Sequence, residues 1–442
     1  VFIETKPERV KGRDVLSDET LDRIHQAKPD FILRFGFNIL TGELLTIAKY
    51  GVWSFHHGDE LRYRGGPPGF WEVYKGDHTS GLILQRLTEK LDGGIILRKG
   101  ILQTVRNSYS HNLHQLLLAG INWPAQLADQ YEKSPESETS APSATKAPIT
   151  TYPTNAQLLV YLLKAPFRSL EQYRKRYFRS EAWRVGTTRK TAGEYAIPAE
   201  ITWEGSGLKY FKADPFPFEN GMLFEYFDRR TGKGSILNKA GQTILAGKHH
   251  FSYPFVWNEN GVLWIIPEQS EAGTTVAYQM HDGEIVDQIQ LLDIGLVDPT
   301  LVRNDGRLWL FGCDPAFPNA ALLLFSADSL SGQWDAHPQN PVKFDVTGSR
   351  PGGTPFWDGA NLIRPAQDNA QHYGRRIRLF RITEMSKTDY REEEFGTIEP
   401  PDGFVGIHTY TITDDTVIFD AKKHTLNPYH TRFRLYQKFR GK

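Results

Sequence analysis

The sequence predicts a chain of two units, an α/β domain followed by an all-β five-bladed propeller. Two observations predict it: short apolar runs alternate with helical periodicity up to residue 131, and a Pro–turn–strand unit recurs at intervals of 40 to 53 residues in the second half. A third separates the halves, because the 15 residues from Ser134 to Pro148 are Ser, Thr, Pro, Ala, Glu and Lys, with no large apolar side chain to anchor them in a core.

In the first unit, apolar runs at Phe31–Phe35, Val52–Phe55, Leu82–Leu87 and Ile95–Leu97 read as strands. Ser17 before Asp18 and Glu19 reads as the cap of a helix over Ser17–Lys28. That alternation favours an α/β layer with a partly parallel sheet. Leu113, Leu116, Leu117 and Ile121 place one apolar stripe on a helix within Ser110–Leu127, which Pro124 should kink or end. The expected boundaries are an α/β domain over 1–131, a linker over 132–155, a basic helical lead-in over 156–182 and the propeller over 183–442. From Lys164 to Lys190 nine Lys and Arg face two acids, Glu171 and Glu181, the one strongly basic segment; a solvated helix face and an anion or membrane-surface patch both fit it.

The repeat of the second unit reads Asp214-Pro215-Phe216 with Asn220-Gly221, Tyr253-Pro254-Phe255 with Asn260-Gly261, and Asp298-Pro299-Thr300 with Asp305-Gly306. Arg350-Pro351 with Asp358-Gly359 is a weaker fourth copy. A four-stranded blade needs about 40–50 residues, so this period fits a propeller, and about 260 residues make five blades. The Asn-Gly and Asp-Gly pairs supply the positive φ that tight hairpins require.

Composition narrows the function. The chain of 442 residues has 52 Lys and Arg against 52 Asp and Glu, so no general basic field exists to hold nucleic acid. The single cysteine, Cys313, forms no internal disulfide and no Cys/His zinc framework is present, which suits a reducing compartment. No run of 18 apolar residues spans a bilayer, and the first residues are too polar for a signal peptide. A cytoplasmic protein is expected, without an integral membrane segment and with homo-oligomerisation left open. The start at Val1 rather than Met hints that residues precede it. Dinucleotide, P-loop, serine-hydrolase and zinc-protease motifs are absent, and no metal centre is expected.

The densest chemistry lies from Gly51 to Pro68, followed by Thr79-Ser80-Gly81 and Leu91-Asp92-Gly93-Gly94. A strand ends in His56, a Gly/Pro-rich loop follows, and the Asp92 carboxylate comes on a later loop. Such a pair can act as a general base with its orienting carboxylate, and a structural histidine fits the same residues. Together with Gly36-Phe37-Asn38-Ile39-Leu40, these segments resemble the core of folate-dependent formyltransferases, the family of methionyl-tRNA, phosphoribosylglycinamide and sugar N-formyltransferases. The likeness covers about the first 100 residues and implies a Rossmann-type sheet, either truncated at the start or reduced. It implies N10-formyltetrahydrofolate as formyl donor, Ser54, His56 and Asp92 as catalytic residues, and Gly36, Phe37, Ile39, Leu40 and Gly93 around the folate. Arg64-Gly65 matches the Arg-Gly after the family's histidine, with Arg64 facing the substrate. Ser54 stands where the family has the asparagine that donates to the developing oxyanion, and Leu40-Thr41 replaces its Leu-Pro.

The second unit resembles the N-terminal domain of plant glucosamine inositolphosphorylceramide transferases and, distantly, five-bladed glycosidases that begin blades with Asp-Pro. Asp214, Glu268, Asp298 and Arg350 are the expected channel-lining, substrate-binding residues, with His408 as a further polar group. Trp257, Trp264, Trp309 and Trp357 are either sugar-stacking platforms or blade core. The acids run Asp, Glu, Asp where the glycosidases run Asp, Asp, Glu. The expected activity is formyl transfer to the amine of an amino sugar, with a small-molecule or glycan substrate. The alternative is a degenerate first domain carried by a glycan-binding or glycan-cleaving propeller.

Overall fold

The computed structural model describes residues 3–90, 93–133, 142–143, 145–191, 195–219 and 221–439. The chain divides into two compact units, residues 1–166 and 167–442.

The four apolar runs of the first unit become the four strands of one sheet. Ile32–Arg34 pairs in parallel with Val52–His56, which pairs antiparallel with Thr79–Arg86, and that strand pairs antiparallel with Ile95–Gln103. Val52, Trp53, Leu82 and Leu84 are fully buried, and Trp53 stacks on Phe31 at 4.1 Å. A second small sheet joins Glu8–Val10, Arg13–Val15 and Ile39–Leu40, the last two in parallel. The sheets are therefore mixed, with parallel pairing confined to short strands. Ser17 caps the Asp18–Ala27 helix by accepting from the Thr20 N–H.

Two local expectations are corrected. Pro124 starts a helix rather than ending one: Tyr109–Gly120 stops, and Trp123–Lys133 begins with Pro124 in its first turn, where a missing N–H costs nothing. The buried face of Tyr109–Gly120 is Asn112, Leu116 and Ala119, whereas Leu117 and Ile121 are exposed. Asn112 is inside because its amide bridges Gly69, Ser80 and the Val105 N–H. Most of the Ser134–Pro148 stretch lies outside the described residues. Its described end returns to the first unit: Ile149–Thr150 pairs with Arg64–Gly65, and Thr145 donates to the Glu60 carbonyl at 2.6 Å. Gly65 is required there, since at its φ of 89° a Cβ would sit 2.3 Å from the Thr150 carbonyl oxygen.

The basic segment forms a helix, Asn155–Phe178, that runs from the first unit into the second. Four sheets of the second unit follow in chain order: Tyr210–Leu245, Ser252–Leu292, Val297–Phe344 and Phe356–Ile398, each an antiparallel meander of at least four strands. The fifth is built from both ends of the unit, with Ser180–Arg189 pairing Thr416–Thr425 over ten residue pairs. Each sheet packs on the next through its own buried cluster. Val185 and Ile418 meet Met222 and Phe224, Leu223 and Ile236 meet Ile265, and Phe255 and Ile266 meet Leu308 and Leu310. Trp309 and Phe311 then meet Leu362 and Tyr390, and Ile363 and Ile377 meet Phe419, which closes a ring of five sheets.

The repeated X-Pro sites have one backbone role. Asp214, Tyr253 and Asp298 take φ of 49°, 45° and 51°, and each sits at a register shift in the first strand of its sheet. They are bulge residues within strands, not turn caps. The hairpin expectation holds at Asn260-Gly261 and Asp305-Gly306, where all four residues have positive φ; in the first copy Gly221 opens the next strand instead. Arg350-Pro351 departs from the repeat, lying ahead of the short strand Phe356–Asp358.

Phe419, fully buried on the closing strand, packs its own sheet against the Phe356–Ile398 sheet. Phe419→Ala is expected to cost about 3–5 kcal/mol, the usual penalty for such a cavity, read from urea unfolding. A loss below about 1 kcal/mol would show that ring closure does not depend on this contact.

Candidate functional site

In the first unit the strand Val52–His56 carries Ser54 and His56 into a cavity of about 330 Å³, walled by Ile39, Leu40, Phe55 and Leu87. Buried Ser54 accepts a 2.8 Å bond from the Arg34 guanidinium, which also donates to the Phe37 and Asn38 carbonyls. Among the described residues the serine hydroxyl donates only to the Phe55 carbonyl, through a long 3.4 Å bond. His56 Nε2 lies 3.0 Å from the Tyr63 carbonyl. In the neutral ring this makes Nε2 the donor and leaves Nδ1 as the acceptor. The adjacent His57 stacks on Phe55, and burial followed by the neighbouring His56 lowers its pKa to about 4, so it is a neutral packing residue.

Sequence reasoning missed Arg34. The signal was available, a cation closing an apolar strand, but nothing in the spacing linked it to Ser54. Glu89 also lines the cavity, at the loop that leads to Asp92, and accepts from the Gly42 N–H at 2.7 Å. Asp92 itself lies outside the described residues. Of the expected folate-side residues, Ile39 and Leu40 line the cavity, whereas Gly36 and Phe37 do not. Phe37 turns into the core beside Leu40 and Leu44, and its carbonyl holds Arg34. Gly93 lies outside the lining too, its carbonyl accepting from Thr88. Arg64 is turned from the cavity toward the Ala147 carbonyl, and Gly65 takes the lining position instead.

In the second unit the three bulges gather a buried polar cluster. Asp214 accepts from the Thr409 hydroxyl at 2.8 Å and the Tyr253 N–H at 3.2 Å, and His408 Nε2 lies 3.6 Å away. Asp420 accepts from the backbone N–H groups of Asp214, His408 and Thr409 and pairs with His408 Nδ1 at 2.7 Å. Asp298 holds Arg350 through two bonds, at 2.7 and 3.1 Å, and Gln367 through a third at 2.7 Å. Glu268 reaches Arg350 at 3.4 Å. Glu268, Asp298 and Arg350 thus partner one another, whereas Asp214 is held by Thr409, Tyr253 and His408. Asp214, His408 and Asp420 also bring one ligand atom each within 4.8 Å, a spacing that could hold a metal ion.

Burial, partly offset by His408, raises the Asp214 pKa to about 6, and burial, partly offset by Arg350, raises that of Asp298 to about 7. Glu225, which the sequence reading passed over, is held well above the usual carboxylate range by burial and by the surrounding acids Asp214, Glu268, Asp420 and Asp298. Burial pulls His408 down, yet Asp420 and Asp214 leave it raised overall. Of the tryptophans, Trp264 and Trp309 are blade core, Trp257 is half-buried and donates to Glu259, and Trp357 is 53% exposed.

Residues 225–401 match the family model described as glucosamine inositolphosphorylceramide transferase 1, N-terminal. The chain is 32% identical over 218 residues to glucosamine inositolphosphorylceramide transferase 1 of Arabidopsis thaliana, covering 44% of this chain and 28% of that protein. It therefore spans under a third of that relative. Over 101 residues it is 32% identical to methionyl-tRNA formyltransferase of Clostridium beijerinckii, covering 23% of this chain and 33% of that one. A thermostable family-43 glycoside hydrolase aligns at a TM-score of 0.33 with 12% identity over 44% of this chain and 77% of its own. The sequence likenesses to the two transferases support a two-part chain. Among the described residues no helix is long and apolar enough to cross a membrane.

With Asp214 raised from 3.8 to about 6, the folded state keeps a proton that the unfolded chain has already lost between those values. Its contribution to stability is complete below about pH 4 and is lost as the pH rises through about 6. His408, also raised, acts in the same direction. Asp214→Asn is expected to flatten the fall in urea midpoint between about pH 4 and 7; a slope equal to wild type would count against the buried proton.

Proposed function

We propose that the first unit transfers a formyl group from N10-formyltetrahydrofolate to the amine of an amino sugar, and that the second unit is a five-bladed propeller that engages the glycan part of the acceptor. The observation that carries the reading is the meeting of a guanidinium, a hydroxyl and an imidazole at one cavity, through Arg34, Ser54 and His56. The cavity fits a flat heterocycle at the small end of ligand sites, with Ile39, Leu40 and Leu87 as apolar walls and Gln85 as a polar edge. The donor supplies the formyl carbon. Arg34 and Ser54 aim positive charge and a hydroxyl at the carbonyl oxygen as it gathers negative charge. Arg34 offsets the loss of the family's asparagine at position 54. His56 Nδ1 takes the proton that the attacking amine loses and returns it to the departing nitrogen, with the Tyr63 carbonyl fixing the ring. Asp92 is assigned to stabilise the charged ring. An amino-sugar acceptor is supported by the relative whose name carries glucosamine.

In the propeller, both oxygens of Asp214 and of Asp298 are already engaged by protein donors. This favours a rigid, glycan-engaging scaffold over a hydrolase, whose two carboxyls must be free to reach the glycosidic bond. Exposed Trp357 is the tryptophan left for sugar stacking.

Isothermal titration of the full chain with 5-formyltetrahydrofolate tests the reading. Binding is expected, weakened at least about tenfold by Arg34→Ala. His56→Ala should keep binding and lose about 10²–10⁴ in formyl transfer to amino sugars. A folded chain without folate binding would overturn the proposal.

A further inference from the structure

The second unit carries a basic cavity that formyl transfer does not use. It measures about 530 Å³, and Lys175, Arg176, Arg179, Arg229, Arg434 and His430 supply its basic lining. These residues come from the last turn of Asn155–Phe178, the segment after it, the strand end at Asp228 and the C-terminal helix Pro428–Phe439. The other walls are aromatic: Phe211 and Phe227 stack with centroids 4.7 Å apart, and Trp183 stands beside them.

The charges do not cancel locally. Lys175 pairs with Glu171, and Glu181, the one acid in the lining, is taken by the buried Lys422 at 2.6 Å. Among the described residues no carboxylate pairs with Arg176, Arg179 or Arg434. A helix C-terminus offsets roughly half an elementary charge, too little for these cations. Arg229 is 3% exposed; its terminal nitrogens are held by the Ser180 hydroxyl and the Glu181 carbonyl, while its buried Nε has no partner. The buried His430 Nε2 is likewise unpartnered. A buried donor without an acceptor costs about 1–3 kcal/mol. Burial first, then nearby cations that include Arg179, Arg434 and Arg229, lower the pKa of His424 and His430, as a positive local field would.

We propose that this cavity binds a phosphate monoester, with the dianion held by Arg176, Arg179, Arg434 and the free Nε of Arg229, and the esterified group laid against Phe211, Phe227 and Trp183. Arginine suits the task because its planar fork matches tetrahedral oxyanions, and its charge persists when buried. The inference is independent of the formyl-transfer reading, since every residue it uses lies in the second unit.

The ester has two sources, a soluble phosphorylated metabolite or a lipid headgroup. Two smaller cavities share residues with this one. One is rimmed by exposed Phe178 and Leu426, the other by Tyr436, so apolar groups stand near the cationic lining. The test uses the full chain, inorganic phosphate and glycerol 3-phosphate by titration calorimetry, and phosphatidylcholine vesicles with and without phosphatidic acid by co-sedimentation. Arg179→Gln/Arg434→Gln removes two of the lining cations, Arg434 bonding Gln437 on its own helix, and its thermal unfolding checks that it stays folded. Binding of glycerol 3-phosphate, at least about tenfold weaker in the double variant, supports the site with a soluble source. Binding only to phosphatidic acid vesicles, lost in the variant, supports it with a lipid source. Failure of all three probes, or binding unchanged in a folded variant, overturns it.

Discussion

The second unit depends on one pairing, the ten-residue ladder between Ser180–Arg189 and Thr416–Thr425. Four sheets built from consecutive strands could splay apart; a fifth built from both ends of the unit ties the last strand to the first. Asp420, at the middle of the closing strand, makes that closure specific. Its carboxylate holds the backbone of Asp214 from the next sheet and the His408–Thr409 segment from its own. Closing the ring and assembling the central cluster are therefore one event, and a closure shifted by one residue would turn Asp420 to the opposite face.

The cluster stores its cost in backbone strain and buried charge. Three non-glycine residues in left-handed bulges and several buried acids are expensive in isolation. They persist because each is held by several partners, Tyr253 reaching across to Thr300 and to Gly353 and Asp298 gripping Arg350 and Gln367. Such over-determination gives a rigid centre, which suits positioning a ligand better than moving protons through a cycle.

The first unit solves a smaller problem with the same means. Its sheet is built from four short apolar runs, and at one strand end Ser54 and His56 alternate with Trp53 and Phe55 on the opposite face. Arg34, on the neighbouring parallel strand and directly opposite Ser54, donates to its hydroxyl.

Strand positions, the Ser17 cap, the helix through the basic segment and the hairpin turns at Asn260-Gly261 and Asp305-Gly306 were legible in the sequence, because apolar period, capping oxygens and positive-φ residues act locally. So was the equivalence of Asp214, Tyr253 and Asp298, which hold the same place in successive copies of the repeat. What tertiary structure alone decided is how each group is used. Arg34 meets Ser54 20 residues away, Asp420 meets Asp214 206 residues away, and the cations of two helices and a strand end meet around one cavity. Pro124 opens a helix, and Phe37 turns to the core because the cluster around Leu40 and Leu44 needs its ring. A sequence states each side chain's chemistry and local bias; pairing, burial and the resulting shifts in charge depend on which distant segment arrives beside it.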